Sequence, residues 1–501
     1  MRATTATTAT ATASDTATAA TATATASDTA TAATATATAS DTATAADGTS
    51  AVTVIGYGPA AHRLVQRLRH HGHRGPVTVF GAEPHPAYQR AQLTSVLDGT
   101  LPAGALTLAP LPADVEVRTG TRITAVDPRR RLVRAEDGTE HPYGVLVLAT
   151  GSRPVLPQLA GAGRHAPGLR VPHTLRGARP VTKGPVVVVG GGLRGTETAY
   201  ALGRAGHDVT LVHPGAHPMH RLLDGRAGAL VTAALREAGA VAETGRRVVA
   251  VEPGKALLDD GRLLAAGTLL LCTGTAPDTA LARTARLAVR HGIVVDDRLR
   301  TSDPYIYALG DCARTRGRHH GTLESAWDEA DALARTLCGA DGSSVATRHI
   351  VRPRLPALAV LGPPDALHAP GDQDEHVVLS DPARGRYGRL VLREGRVRAG
   401  VLVGLDRAVA TVGRLYTEDR PLPPDRLALL LGTDKEYTGG SALPDTAVVC
   451  HCNNVTRMDL RQAWRQGAHD LPAIAAATRA TTGCGTCAEA VRRICGTAAA
   501  S

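Results

Sequence analysis

AVTVIGYGPAAHRLVQRLRHHG (51–72) and PVVVVGGGLRGTETAYALGRAG (185–206) decide the fold. Each begins with a continuous apolar run, turns on closely spaced glycines and continues with helical spacing. VTVFGAE (77–83), GVLVLATGSRP (144–154), HDVTLVH (207–213) and TLLLCTGTAPD (268–278) add further apolar strands that run into loops. Continuous apolar strands alternating with helices indicate parallel sheets covered on both faces. The expected class is therefore α/β, with two doubly wound dinucleotide-binding domains in one chain.

In the first unit, Gly56-x-Gly58-x-x-Ala61 follows the strand VTVI and opens a helix. Glycines let the backbone turn sharply and approach a pyrophosphate, which rests on the amides of the helix N-terminus. Glu83 ends the next strand, 22 residues past Ala61, placed to accept hydrogen bonds from a ribose. A lone glycine motif is also an ordinary strand–helix turn, but here strand, motif, helix, second strand and terminal carboxylate agree. A further piece is TSDPYIYALGDCA (301–313), a strand ending in Gly310-Asp311, which pairs with ATG at 149–151 and CTG at 272–274. Over about residues 50–340 these segments resemble the FAD/NAD-linked pyridine nucleotide oxidoreductase family. The resemblance implies that Gly56, Gly58, Ala61, Glu83, Arg90 and Asp311 line FAD, with Thr150, Gly151 and Gly310 beside them. It also implies that Asp311 reaches the ribityl chain.

Gly190-x-Gly192-x-x-Gly195 follows PVVVV and opens a helix carrying Glu197. By the same physics it binds a second pyrophosphate, and the resemblance implies that this is NAD(P)H, with Gly274 nearby and NADH favoured. The following strand ends at His213, where an NAD-specific site usually has a carboxylate for the ribose hydroxyls. His213, His217, His220 and Arg221 either welcome a 2′-phosphate or are solvated loop residues. No cysteine precedes Cys272, so the dithiol or single reactive cysteine of the disulfide reductases is missing. Electrons must leave the flavin another way.

Cys450-x-Cys452 and Cys484-x-x-Cys487 supply four thiols in two close pairs. Thr456 with Asp459 forms a capping-box pattern with Gly467 as stop, and Asp470 with Pro472 starts a second helix. Cys484 and Cys487 flank a third helix start, where amide dipoles favour thiolate. Four thiolates suit a 2Fe–2S cluster. Structural zinc also takes four cysteines, but zinc ribbons generally pair two C-x-x-C knuckles, unlike C-x-C followed by C-x-x-C. His451 reads as a loop residue, and Cys272, Cys312, Cys338 and Cys495 as small buried hydrophobes. VVCHCNNVTRMDLRQAW with TTGCGTC is similar to the bacterioferritin-associated ferredoxin-like 2Fe–2S domain.

Outside these units, residues 1–48 form an Ala/Thr tract in which ASDTATAA recurs with period 13. It offers no large apolar face and should be disordered. The expected boundaries are 49–160 and 276–345 for the FAD domain, 161–275 for the NAD(P)H domain, and 346–435 for a small α+β module. Residues 446–496 form a small helical 2Fe–2S domain. RYGRLVLREGRVRAGVLVG (386–404) alternates apolar and polar residues about Glu394-Gly395, a hairpin signature, and a linker lies near 436–446.

The chain has 501 residues and a net charge of +10, with only three lysines, Lys183, Lys255 and Lys435. Its scattered arginines and 2% aromatics give no nucleic-acid motif, although the positive balance suits docking to an acidic protein. No apolar run long enough to span a membrane and no secretory leader pattern is present, and the clustered cysteines suit a reducing compartment, so the expected location is cytoplasmic. In this order the modules resemble the N-terminal half of the large subunit of assimilatory NADH-nitrite reductases and the electron-transfer subunit of assimilatory nitrate reductases. The resemblance implies an NAD(P)H-dependent oxidoreductase that passes electrons through FAD and the cluster to a nitrate or nitrite reductase catalytic subunit. No side chain is needed as nucleophile or general base. The sequence ends six residues after Cys495, and the expectation is that nitrite is not reduced within this polypeptide. Trp327 is expected either beside the flavin or in the core. The rival readings are a reductase for another acceptor, such as a monooxygenase ferredoxin, and a redox sensor without turnover.

Overall fold

The computed structural model describes residues 48–498 apart from 162–167, 183, 316–320, 341–347, 349, 356, 370, 434–444, 446, 451–452, 454 and 482–486. The Ala/Thr tract, most of the 436–446 linker and two of the four paired cysteines thus lie outside the described residues.

Valine-rich strands with no polar face can only be satisfied inside a sheet covered on both sides. Val52–Ile55 lies third in a five-stranded parallel sheet ordered Ile306–Ala308, Val145–Leu148, Val52–Ile55, Val77–Phe80, Val115–Arg118. Gly58 ends the turn, and helix α1 (Pro59–His70) begins on Pro59, whose missing N–H costs nothing at a first helical position. A 3₁₀ turn, Arg90–Gln92, leads into the short α2 (Leu93–Leu97).

The chain then crosses to a second five-stranded parallel sheet ordered Ala240–Thr244, Val209–His213, Val186–Val189, Thr268–Leu271, Leu169–Arg170. It carries α3 (Leu193–Arg204) and α4 (Gly225–Glu237), the latter capped by Asp224 accepting from the Ala227 amide. Outward and return crossings pair with each other, Ser152–Pro154 running antiparallel to Thr275–Pro277. The returning chain forms α5 (Ala280–Thr284) on the strand Ile123–Asp127, adds the edge strand Ile306–Ala308, and lays α6 (Leu323–Leu337) against α1. The first sheet is thus completed by residues far along the chain.

The third sheet is antiparallel, ordered Ile350–Val351, Leu358–Leu361, Arg396–Val403, Arg386–Arg393, Glu375–Asp381. Its hairpin turns on Glu394 and Gly395, both left-handed, at φ 52° and 70°. The expected hairpin is present, and both faces of its sheet are covered. Leu390 and Leu402 meet Val409, Val412 and Leu415 of helix Asp406–Thr417, while Val391, Ala399 and Val401 meet Leu223 and Val231 of the second unit. The small module is therefore wedged onto α4 of the second unit.

The last module is a short hairpin, Val448–Cys450 with Val455–Thr456, and three helices, Arg457–Arg465, Leu471–Thr478 and Ala488–Ala498. The expected capping box is present: Thr456 Oγ1 accepts from the Asp459 amide and the Asp459 carboxylate accepts from the Thr456 amide. Asp470 caps the second helix by accepting from Ala473. Among the described residues no helix is long and apolar enough to cross a membrane.

Candidate cofactor sites

A cavity of about 660 Å³ opens where the first sheet, α3 and the third module meet. This is within the range of small-molecule sites. Gly56, at φ 110°, admits no side chain, because a Cβ there would sit 2.1 Å from the Ala149 carbonyl oxygen. Gly58 caps α1 with no side-chain partner, and Gly58, Pro59 and Ala60 line the cavity, so the first helix amides are left for an anion.

Glu83 and Arg90 stand on one wall, bound to each other at 2.5 Å. Tyr88, which no sequence motif signalled, donates its hydroxyl to Glu83 Oε2 at 2.8 Å and accepts from Arg90 Nη1 at 2.9 Å. Burial raises the Tyr88 pKa, so the hydroxyl keeps its proton for Glu83. Thr150, Gly151, Gly310 and Asp311 form another wall. Ser152 Oγ donates to Asp311 Oδ2 at 2.9 Å and fixes that carboxylate. The Gly310 amide donates to Glu329 Oε2 at 2.6 Å. Glu329 is buried on α6, and that burial, with Asp311 nearby, pushes its carboxyl up to about 7. A glycine cradle, an uncapped helix start and placed carboxylates fit FAD.

Ala61 does not line this cavity. It is fully buried in the core under the first sheet, so its small side chain serves close helix–strand packing. Trp327, half-buried on α6, is likewise absent from the walls, whereas Ile350, Val351 and Arg352 of the third module are on them. Arg352 pairs with Glu324 at 3.1 Å. Nothing in the pattern of that module marks it as part of this site.

At the second glycine turn, a Cβ on Gly190 would lie 2.5 Å from the Cys272 oxygen, and one on Gly195 would lie 1.7 Å from the Gly190 oxygen. Gly192, at the start of α3, faces open space, and no side chain caps that helix. Gly190, Gly192, Gly195 and Gly274 all stand outside the first cavity, but Leu193, Arg194, Glu197 and Thr198 line it. Thus α3 starts at one dinucleotide turn and sends its side chains into the other site. Glu197, grouped with the second turn by sequence, belongs to the first cavity, where it accepts from the Arg354 backbone amide at 2.8 Å.

His213 is not a solvated loop residue. It is 6% exposed, and its Nδ1 accepts from the Gly191 amide at 3.0 Å. Its Nε2 meets His220 Nδ1 at 2.8 Å. Desolvation lowers its pKa to about 4, reinforced by His220, His217 and Arg221, so the imidazole is neutral and braces the glycine turn from beneath.

In the last module Cys450 and Cys487 share one buried core, and Cys487 directly precedes the helix Ala488–Ala498. Asn453 Nδ2 donates to Cys450 Sγ at 3.7 Å. Cys452 and Cys484 lie outside the described residues. Two buried thiols in one small core, one on the hairpin and one at a helix start, with a hydrogen bond to the Cys450 sulfur, have the donor chemistry of an iron–sulfur cluster.

Residues 50–330 match the family model described as pyridine nucleotide-disulphide oxidoreductase. Residues 448–496 match the BFD-like [2Fe-2S] binding domain. The chain is 32% identical over 470 residues to the nitrite reductase [NAD(P)H] large subunit of Klebsiella oxytoca, covering 88% of this chain and 48% of that protein. It is 30% identical over 401 residues to the benzene 1,2-dioxygenase system ferredoxin–NAD(+) reductase subunit of Pseudomonas putida, covering 75% and 95%. The putidaredoxin reductase–putidaredoxin complex superposes with a TM-score of 0.69 at 27% identity, covering 78% of this chain and 99% of that one. The chain spans about half the length of the nitrite reductases that it matches.

Proposed function

The chain belongs to the pyridine nucleotide-disulphide oxidoreductase family and carries a BFD-like 2Fe–2S domain, and from that premise we propose that it feeds electrons from NAD(P)H to a nitrate or nitrite reductase catalytic subunit. It is an NAD(P)H oxidoreductase with FAD, NAD(P)H and a 2Fe–2S cluster as cofactors. When bound, the flavin supplies the exchange between a two-electron hydride donor and a one-electron carrier. The balance is one NAD(P)H and two oxidised one-electron acceptors giving NAD(P)⁺, one proton and two reduced acceptors.

The observation that carries the donor side of the proposal is α3. Its first turn presents the open amides at Gly192, and its next residues, Arg194 and Glu197, enter the cavity assigned to FAD. A dinucleotide held on that turn would lie at the edge of the cavity that would hold the flavin, with α3 as the rigid element common to both. Glu83 with Arg90, and Asp311 with Ser152, would hold and orient the flavin, and Ile350 and Val351 would give the cavity apolar lining against water. The metal set assigned is Cys450, Cys452, Cys484 and Cys487. A nitrate or nitrite reductase partner is favoured over a dioxygenase ferredoxin by coverage. Likeness to the nitrite reductase reaches 88% of this chain, against 75% for the dioxygenase reductase.

Cys487→Ser tests the electron exit. Stopped-flow bleaching of the flavin by NADH should keep its wild-type rate, while reduction of the purified nitrate or nitrite reductase partner is lost. Partner reduction at the wild-type rate by this variant would remove the cluster from the route. Small artificial oxidants are unsuitable because they can take electrons from the flavin without passing through the cluster.

A further inference from the structure

One wall of the large cavity has a second use on its far side. Arg90, Ala91, Leu93, Thr94 and Leu97 line the cavity. Gln92, in the midst of them, does not; it is 1% exposed and turned to the cysteine module. Its Nε2 donates to Asn453 Oδ1 at 2.7 Å, and its Oε1 accepts from Arg479 Nη2 at 3.3 Å. Asn453 Nδ2 in turn donates to the Arg479 carbonyl at 2.5 Å. Three residues from two modules thus close a ring of hydrogen bonds. Arg479 adds a bond from Nη1 to the Thr107 carbonyl at 3.1 Å, and Asn453 Nδ2 also reaches Cys450 Sγ at 3.7 Å.

We propose that Gln92, Asn453 and Arg479 are positioning residues that lock the cluster module in fixed register against the back wall of the flavin cavity. Electrons then cross a permanent contact and are not carried by a tethered module. The proposal rests on the electron-exit reading above and specifies where the exit lies. A residue one peptide bond from the cavity lining is joined through two hydrogen bonds and one asparagine side chain to a cysteine assigned to the cluster. Both ends of the Gln92 carboxamide are used, and a buried group robbed of its partners is costly, so the docked state is strongly favoured. The backbone supports this geometry. Arg479 ends the helix Leu471–Thr478 in the left-handed region at φ 64°, where glycine is the ordinary choice, and that turn aims both its carbonyl and its guanidinium at the ring. Asn453 has a second effect, because a hydrogen bond to a ligand sulfur stabilises the more negative, reduced cluster.

The test uses the full-length holoprotein, anaerobic, mixed rapidly with NADH. Flavin bleaching is followed by absorbance and cluster reduction by freeze-quench EPR. Gln92→Ala should bleach its flavin at the wild-type rate but fill its cluster about tenfold or more slowly, the shift expected from unmeeting two buried partners. Its cluster potential should be unchanged, whereas Asn453→Ala should lower the potential. Arg479→Gly removes the guanidinium while relaxing a backbone that suits glycine, so it should fold well and still slow cluster reduction. In both docking variants, amide hydrogen exchange at 92–97 and 453–457 should quicken. Cluster filling at the wild-type rate in Gln92→Ala and Arg479→Gly, with cofactor content intact, would overturn fixed docking while leaving the exit reading in place. A wild-type cluster that NADH never reduces would overturn the exit reading itself.

Discussion

At the residue scale, His213 shows how one side chain changes meaning with its surroundings. Its place at a strand end suggests contact with a ribose or a 2′-phosphate, but its ring is spent on the Gly191 amide and His220. The buried neutral ring also has a pH signature. An unfolded histidine protonates near 6.5, whereas folded His213 stays neutral down to about 4. As pH falls through that window the unfolded chain takes up the proton first, so stability present above 6.5 is lost toward 4. His213→Asn keeps an acceptor for Gly191 and abolishes the titration. Its urea midpoint should fall less than that of the wild type between pH 6.5 and 5, with KM for NADH raised only a few-fold. His213→Ala, which leaves the Gly191 amide without its acceptor, should raise KM by about tenfold with little change in kcat.

Elements carry a different kind of information. The hairpin Arg386–Arg393 with Arg396–Val403 turns on two residues, both left-handed. That geometry favours Asn-Gly, yet the first position is Glu394. Glu394→Asn should therefore stabilise the third module by about 0.5–1 kcal/mol, read as a higher urea midpoint with unchanged slope. A drop in midpoint would mean that Glu394 makes a compensating contact. In the same hairpin Val391 and Val401 face away from the helix of their own module but share a core with Ala227 and Val231 of α4. Alternation reports two faces and says nothing about what lies beyond the second. Helix α3 is legible at its glycine turn for a similar reason, since that turn is a local demand, while the destination of Glu197 is not.

For the whole molecule, the net charge of +10 bears on the partner. If the acceptor is acidic, salt should weaken its docking. Raising ionic strength from about 0.05 to 0.3 M shortens the screening length to well under 10 Å and should lower kcat/KM for the acceptor several-fold. Flavin bleaching at saturating NADH should not follow. A flat salt profile for the acceptor would argue against charge-guided docking. The class of fold, the two tight glycine turns at Gly56 and Gly190 and the capping box at Thr456 were legible from sequence alone. Each is set by neighbours within a few residues: strand burial by an apolar run, a tight strand–helix turn by glycine spacing, a cap by residues three apart. What only the tertiary structure decided joins distant segments. Tyr88 orients Glu83, Glu329 holds Gly310, the third module walls the cavity through Arg352, and Gln92 meets Asn453 across 361 residues. Ala61 went to the core and Glu197 to the first cavity for the same reason. A side chain's partner depends on which elements pack together, and packing is chosen by the sum of all apolar faces, which no local pattern records.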